Sequence, residues 1–186
     1  MITTINEWKK YKLNEAKKPH NIFVPTRLDT RDMERAKQLT AQLYKELEST
    51  NQVTSELLED LLKFNPQFKI PDNLTVNGSL YLRNTKITSL PNNLIVNGYL
   101  DLSNTPITSL PDNLTVNGWL DLSYTKITSL PDNLILKGSL YLSSTLITSL
   151  PDNLTVNNGD LWLDNTPISK NKELLIKYKK KYRIIC

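Results

Sequence analysis

The sequence predicts an α+β repeat protein, in which stacked solenoid turns with a parallel sheet lie between a helical N-terminal segment and a short C-terminal helical cap. The first observation is a 20-residue unit that runs four times without a gap from Pro71 to Leu150 and a fifth time, with one added residue, from Pro151. A fixed period of this length is typical of stacked turns that bury their apolar faces on one another. The second observation is strand periodicity inside each unit, and the third is a glycine at one position of every unit.

The Leu-x-Leu segment of each unit alternates apolar and variable residues, as a half-buried strand does. These pairs are Leu80/Leu82, Leu100/Leu102, Leu120/Leu122, Leu140/Leu142 and Leu161/Leu163. All five glycines of the chain lie two residues before such a strand, which indicates either a positive φ or a backbone too crowded for a Cβ atom. Asn-Gly between apolar runs also favours an antiparallel hairpin. The parallel solenoid is preferred because a 20-residue hairpin unit matches none of the usual repeat lengths.

The order Leu-x-Leu, Thr, Ile, Leu-Pro, Asn-Leu matches the leucine-rich-repeat core, with Thr where Asn is usual. The unit resembles the short bacterial-type leucine-rich repeats of secreted effectors and of bacterial and phage proteins, and the phage and bacterial subgroup most of all. This resemblance covers residues 70–168 and implies a protein-binding scaffold. The Thr hydroxyls can still hydrogen-bond their own turns. The fixed column Asn73, Asn93, Asn113, Asn133 and Asn153 is expected to supply the side-chain ladder instead.

Function in such a scaffold is expected where the units differ, on the outward positions of the strand and beside it. The predicted partner-binding face is Tyr81, Tyr99, Asp101, Trp119, Asp121, Tyr141, Asp160 and Trp162. Tyr and Trp anchor protein interfaces, and a contiguous exposed aromatic patch marks binding sites. The alternative is structural, because aromatic residues also suit strands and pack across a sheet. Asp101 and Asp121 have no flanking ligands, so no metal site is expected.

The flanks divide the chain into a helical N-terminal segment (1–69), five repeats (70–169) and a basic C-terminal cap helix (170–186). Helical spacing of apolar residues predicts a short helix over 4–17, a longer one from Asp29 or Thr30 to about Ser49, and another starting at Thr54 or Ser55. Both ends of a solenoid need polar-faced caps, which these helices supply. The tail carries Lys177, Lys179, Lys180, Lys181 and Arg183. A solvated helix face is the plainer explanation of this basic tail, and contact with nucleic acid is the alternative.

The first sixteen residues resemble the amphipathic leader of proteins packaged inside the heads of large tailed phages. In such leaders the head-maturation protease cuts after [Leu/Ile]-x-Glu, and the run Leu13, Asn14, Glu15 followed by Ala16 matches that pattern. The resemblance therefore implies processing between Glu15 and Ala16. The alternative is a capping helix that packs on its neighbours.

No catalytic constellation is found in the sequence, and no cofactor is expected. His20 is the only histidine, and Cys186, the only cysteine, has no base at a readable spacing.

The expected function is a non-enzymatic protein–protein interaction scaffold of phage origin, associated with the virion. The alternatives are a soluble intracellular effector or inhibitor of a host protein, and nucleic-acid association through the basic tail. No membrane partner is expected, and the lack of a signal sequence and of disulfide pairs favours the host cytoplasm or the virion interior.

Overall fold

The computed structural model describes residues 30–50, 52–65, 68–157 and 159–186. Within these residues the fold is α+β, with two parallel sheets of six strands each and three helices. The helices are α1 (Thr30–Thr50), α2 (Ser55–Phe64) and α3 (Lys172–Lys179). The helix predicted over 4–17, the processing site at Leu13, Glu15 and Ala16, and His20 lie outside the described residues.

The two N-terminal helices form because their apolar residues recur every three or four positions. The buried side chains are Ala36, Leu39, Leu43 and Leu47 on α1, and Leu57, Leu58, Leu61 and Leu62 on α2. Thr54 caps α2, since its Oγ1 accepts a hydrogen bond from the Leu57 N–H at 3.4 Å. Both helices begin where the sequence predicted. They join one continuous core with the repeats and cover its N-terminal end.

The strands fall into two sheets. The first sheet contains β1 (Gln52–Thr54), β2 (Thr75–Asn77), β4 (Ile95–Val96), β6 (Thr115–Val116), β8 (Ile135–Leu136) and β10 (Thr155–Val156). The second sheet contains β3 (Leu80–Tyr81), β5 (Leu100–Asp101), β7 (Leu120–Asp121), β9 (Leu140–Tyr141), β11 (Asp160–Trp162) and β12 (Arg183–Ile185). The sequence analysis predicted only the second sheet within the repeats. The first sheet forms because the residues before Asn-Gly also alternate inward and outward.

Every strand pairing among the described residues is parallel, and within the first four repeats the partners are 20 residues apart. The Leu82 N–H donates to the Asp101 carbonyl at 2.8 Å in the second sheet, and the Ile95 N–H donates to the Leu74 carbonyl at 2.9 Å in the first. The backbone of each turn therefore finds its partners in the next turn. The antiparallel hairpin is not the geometry that these Asn-Gly sequences adopt.

The glycines are explained mainly by crowding. Gly78 has a positive φ of +109°, and it is the only glycine among the described residues in that region. A Cβ atom on Gly138 would lie 2.7 Å from the carbonyl carbon of Gly118, closer than any ordinary contact. Left-handed backbone occurs instead at non-glycine turn residues, namely Asn73, Asn84, Asn93, Asn104, Asn113, Tyr124, Ser144 and Asn165. Glycine is thus needed because adjacent turns approach closely.

Polar ladders connect neighbouring turns. Asn93 Nδ2 donates to Asn73 Oδ1 at 2.7 Å, and Asn113 Nδ2 donates to Asn93 Oδ1 at 3.1 Å, which confirms the predicted ladder over three turns. Asn153 departs from it by donating to the Asp132 carbonyl at 2.8 Å. The column of threonines serves its own turns, as expected, through hydroxyls that donate to the carbonyl three residues earlier, at Thr85, Thr105, Thr125, Thr145 and Thr166.

The C-terminal cap is part helix and part strand. The sequence analysis assigned 170–186 to one helix, and this is wrong at its end, because α3 stops at Lys179 and residues 183–185 form β12. The Leu163 N–H donates to the Ile185 carbonyl at 2.9 Å, so β12 covers the edge that β11 would otherwise expose. Pairing residues 183–185 with the open edge of β11 is therefore more favourable than continuing the helix.

Candidate partner-binding face

The candidate face is the outer side of the second sheet. Its inward side chains, such as Leu80 and Leu82, are buried, so the residues between and beside them point outward. Each of the five turns contributes one aromatic side chain, either at the central position of the strand or at the position before its first Leu. These residues are Tyr81, Tyr99, Trp119, Tyr141 and Trp162. We call this set the aromatic belt.

The five rings of the aromatic belt form an unbroken chain of contacts. Tyr99 and Trp119 are stacked, with ring centroids 4.7 Å apart, and Tyr141 and Trp162 are stacked at 5.7 Å. Tyr81 lies tilted against Trp119 at 6.4 Å, and Tyr141 meets Trp119 edge-on at 6.1 Å. Trp119 is therefore the centre of the belt, and it is in contact with three other rings.

The belt faces solvent despite its internal stacking. Tyr81 is 51% exposed and Tyr99 is 43% exposed. Trp119, Tyr141 and Trp162 are half-buried. Packed rings that keep one side in water supply a rigid apolar surface, because little conformational entropy is lost when a partner covers them. The sequence pattern predicted which residues lie on this surface, and the structure shows the contacts between their rings.

Two carboxylates interrupt the belt at its centre. Asp101 and Asp121 are directly paired in register on β5 and β7. Asp101 Oδ1 accepts hydrogen bonds from the Ser103 N–H at 2.9 Å and from its hydroxyl at 2.6 Å. Asp121 Oδ1 accepts from the Ser123 N–H at 2.8 Å. Both residues thus hold the bend that follows their strands. Asp101 is buried, at 9% exposure, although it was predicted on the partner-binding face, whereas Asp121 is half-buried.

The two ends of the face are closed by charged contacts. Asp160, the remaining residue of the predicted face, forms a salt bridge with Arg183 of β12 that includes a contact of 2.7 Å between Nη2 and Oδ2. At the other end, Glu59 of α2 accepts a hydrogen bond from the Tyr81 N–H at 2.7 Å and caps the edge of β3. Burial raises the pKa of Glu59, and the hydrogen bond from Tyr81 partly offsets this. Glu59 was not among the predicted site residues, because its contact with β3 depends on how α2 packs on the second sheet.

The basic tail is largely engaged with the repeats. Lys177 forms a salt bridge with Asp152 at 3.1 Å, and this contact raises the pKa of the Lys177 ammonium. The Lys181 ammonium donates to the Asp152 carbonyl at 2.7 Å. All five predicted tail cations are exposed, and three of them, Lys177, Lys181 and Arg183, contact the repeats. This arrangement favours the explanation that the tail is a cap.

Two tyrosines of the tail dock the cap on the last repeats. The buried Leu150 N–H donates to the Tyr178 hydroxyl oxygen at 2.9 Å. The Tyr182 hydroxyl donates to the Leu154 carbonyl at 2.8 Å. In earlier turns the corresponding carbonyl accepts from the next strand, as Leu74 does from Ile95. The Tyr182 hydroxyl therefore supplies the hydrogen bond that a sixth turn would donate to Leu154.

In the described part of the chain, no cluster of three or more His, Cys, Asp or Glu side chains could hold a metal ion, and none of the helices there has the length and apolar character of a membrane span. Cys186 is exposed. Comparison with known proteins gives no match, whether among family models, curated proteins or solved structures.

Proposed function

We propose that the chain is a non-enzymatic scaffold of leucine-rich-repeat type that binds a protein partner through the aromatic belt. The narrower proposal is that the protein is of phage origin and is carried in the virion. The leucine-rich-repeat assignment is supported by the position of each Leu-x-Leu segment in one parallel sheet and by the Thr that holds the following turn. The phage assignment is supported by the resemblance of the repeat unit and of the leader.

The observation that carries the binding proposal is the continuity of the aromatic belt across units that otherwise repeat closely. Inward positions hold Leu, Val or Ile in each turn, as stacking requires. Outward positions need only a residue that tolerates water, yet each turn places one aromatic ring there, at one of two alternative positions. Such surfaces carry most of the binding energy in protein interfaces.

The competing explanation is that the rings serve only to stabilise the sheet. Stacked and edge-on aromatic pairs contribute about 0.5–1.5 kcal/mol beyond their buried area. The two explanations separate in the variant Trp119→Ala, which removes the ring at the centre of the belt. If the belt is an interface, this variant should keep a cooperative unfolding transition and lose partner binding. Loss of the folded state instead would show that the ring is structural.

Site-specific photo-crosslinking in the cells that make the protein tests the proposal. p-Benzoylphenylalanine would replace Tyr99 on the belt in one variant and Ile135, which is exposed on the outer face of the first sheet, in the matched control. The expected result is a discrete protein adduct from position 99 that disappears when Trp119→Ala is added. Equal adducts from positions 99 and 135, or an adduct insensitive to Trp119→Ala, would contradict the proposal.

The same experiment distinguishes the virion from the soluble alternative. Particles and soluble lysate would be separated before the adduct is analysed. An adduct found in purified particles supports a virion-associated scaffold. An adduct confined to the soluble fraction supports an effector or inhibitor that binds a host protein with the same face.

A further inference from the structure

The centre of the face combines aromatic rings and negative charge in one place, and this specifies the chemistry of the partner. Along the central positions of the strands, Tyr81 is followed in register by Asp101, Asp121 and Tyr141. Successive strands lie about 4.8 Å apart. The two carboxylates thus lie at the two strand positions between these tyrosines, and the Trp119 ring, which contacts both Tyr81 and Tyr141, lies beside them. We call the two carboxylates, together with the Trp119 ring beside them, the carboxylate notch.

Each carboxylate of the notch uses only one of its two oxygens in hydrogen bonds. The hydrogen bonds of Asp101 and Asp121 all use Oδ1, and Oδ2 of each residue has no hydrogen-bond partner among the described residues. Neither Oδ2 is among the fully buried side-chain atoms that lack a hydrogen-bond partner, so neither oxygen is completely enclosed. Asp101 is only 9% exposed, whereas Asp121 is half-buried, so Asp121 Oδ2 is the more accessible of the two oxygens beside the aromatic rings.

The net charge of the face is also unbalanced. Besides the notch, the outward positions carry Asp164, whose Oδ2 accepts from the Ser143 hydroxyl at 3.2 Å. Asp160 is neutralised by Arg183, and Arg83 is the one other cation at the three outward positions of the described strands. The hydroxyl and N–H groups that donate to Asp101, Asp121 and Asp164 carry no positive charge to balance them. The surface around Trp119 is consequently anionic.

We infer that the aromatic belt binds an extended segment of the partner protein that carries arginine, and that one guanidinium enters the carboxylate notch. A planar guanidinium can donate to the two oxygens and stack on an aromatic ring at the same time, which an ammonium group does less well. The belt crosses five turns, roughly 19 Å, and an extended segment of about six residues spans that distance. This inference rests on the proposed function and specifies the partner's chemistry.

Nucleic acid is a poor occupant of this face, because phosphates would meet the same carboxylates. A divalent cation is poorly matched too, since the notch offers two carboxylates and no third acidic, His or Cys ligand in the described structure. The cationic peptide segment is the occupant that satisfies both the rings and the charges.

A peptide titration tests the inference. The probe is the acetylated and amidated hexapeptide Ser-Arg-Ser-Arg-Ser-Arg, and binding is followed by calorimetry and by tryptophan fluorescence. Citrulline in place of arginine keeps the shape and removes the charge. The decisive variant is Asp121→Asn, because an Asn Oδ1 can still accept from the Ser123 N–H. Asp112→Asn is the matched control, since it removes the same charge from an exposed turn of the same repeat.

The expected result is binding of the arginine peptide that Asp121→Asn weakens about tenfold, equivalent to about 1.4 kcal/mol. Asp112→Asn should change the affinity less than about twofold, as expected for a screened surface charge. The citrulline peptide should not bind, and a lysine peptide should bind more weakly than the arginine peptide. No binding of the arginine peptide, or equal losses in the two Asn variants, would overturn the inference.

The photo-crosslinking adduct distinguishes failure of the arginine inference from failure of the proposed function. If the adduct from position 99 depends on Trp119 while Asp121→Asn leaves it unchanged, the belt is an interface and the inferred arginine contact is wrong. If the adduct also survives Trp119→Ala, the proposed function fails together with the inference. Loss of the adduct in Asp121→Asn with retention in Asp112→Asn supports both.

Discussion

Gly138→Ala is expected to destabilise the protein by about 2 kcal/mol, because adjacent turns leave no room for a side chain. An added Cβ atom would lie 2.7 Å from the Gly118 carbonyl carbon, 2.8 Å from its oxygen and 2.9 Å from the Trp119 nitrogen. Ordinary contacts are about 3.5–4.0 Å, so the turns must separate by roughly 0.5–1 Å. All three atoms belong to the backbone, which cannot move aside as a side chain would.

The magnitude follows from three contributions. Overpacking a tight site costs about 1–3 kcal/mol. Separation of the turns also strains the hydrogen bond from the Leu120 N–H to the Ser139 carbonyl, now 3.0 Å, at a cost of about 0.5–1.5 kcal/mol. The alanine restricts the unfolded chain and returns about 0.4–1 kcal/mol. The central value of the net cost is about 2 kcal/mol, a drop of about 4–8 °C in Tm for a chain of this size.

The assay is urea unfolding followed by circular dichroism and tryptophan fluorescence. Lys137→Ala, at the exposed preceding residue, is the control and should change the free energy of unfolding by less than about 0.5 kcal/mol. A Gly138→Ala protein with wild-type stability would refute the argument that crowding selects glycine here. Destabilisation of Lys137→Ala to the same extent would point instead to a local sensitivity unrelated to the Cβ atom.

Three further predictions follow from the caps and the leader. Tyr178→Phe should lower the free energy of unfolding by about 1–3 kcal/mol, because the buried Leu150 N–H loses its acceptor. Tyr182→Phe should lower it less, because the hydrogen bond of Tyr182 is only partly buried. Equal urea midpoints for the two variants would contradict this. Burial raises the pKa of Glu59, so the folded chain binds that proton more readily than the unfolded chain, and the wild type should gain stability relative to Glu59→Gln as pH falls from about 7 to 4. A stability difference that does not vary with pH would show that Glu59 titrates normally. If the leader is processed, mass spectrometry of purified particles should find chains that begin at Ala16, whereas particle-borne chains that begin at Met1 would remove the leader interpretation.

Much of the architecture could be predicted because the repeat is so regular. The period gives the spacing of paired strands, and Leu-x-Leu gives the strand that faces the core. The cap residue Thr54 and the helical spacing after it locate α2 to within a residue. These features depend on local propensity and on nearest-neighbour stacking, which a single unit already contains.

The parts that could not be predicted depend on contacts across long separations in sequence. Glu59 caps β3 across 22 residues, and Tyr178 reaches Leu150 across 28. The C-terminal helical pattern continues past Lys179, yet the open edge of β11 draws residues 183–185 into a strand. Competition between local propensity and an unpaired edge is decided by tertiary geometry.

The candidate face likewise has some features that the sequence determines and others that depend on the tertiary structure. The sequence alone determined which residues face outward, since a period of two along each strand fixes the side on which Tyr81 or Asp101 lies. Only the tertiary structure decided that the rings at two different positions of the unit meet around Trp119, and that Asp101 and Asp121 each direct their hydrogen bonds to one oxygen, Oδ1. The physical reason is that alternation along a strand is a property of the backbone, whereas ring contacts and free lone pairs depend on side-chain packing between turns.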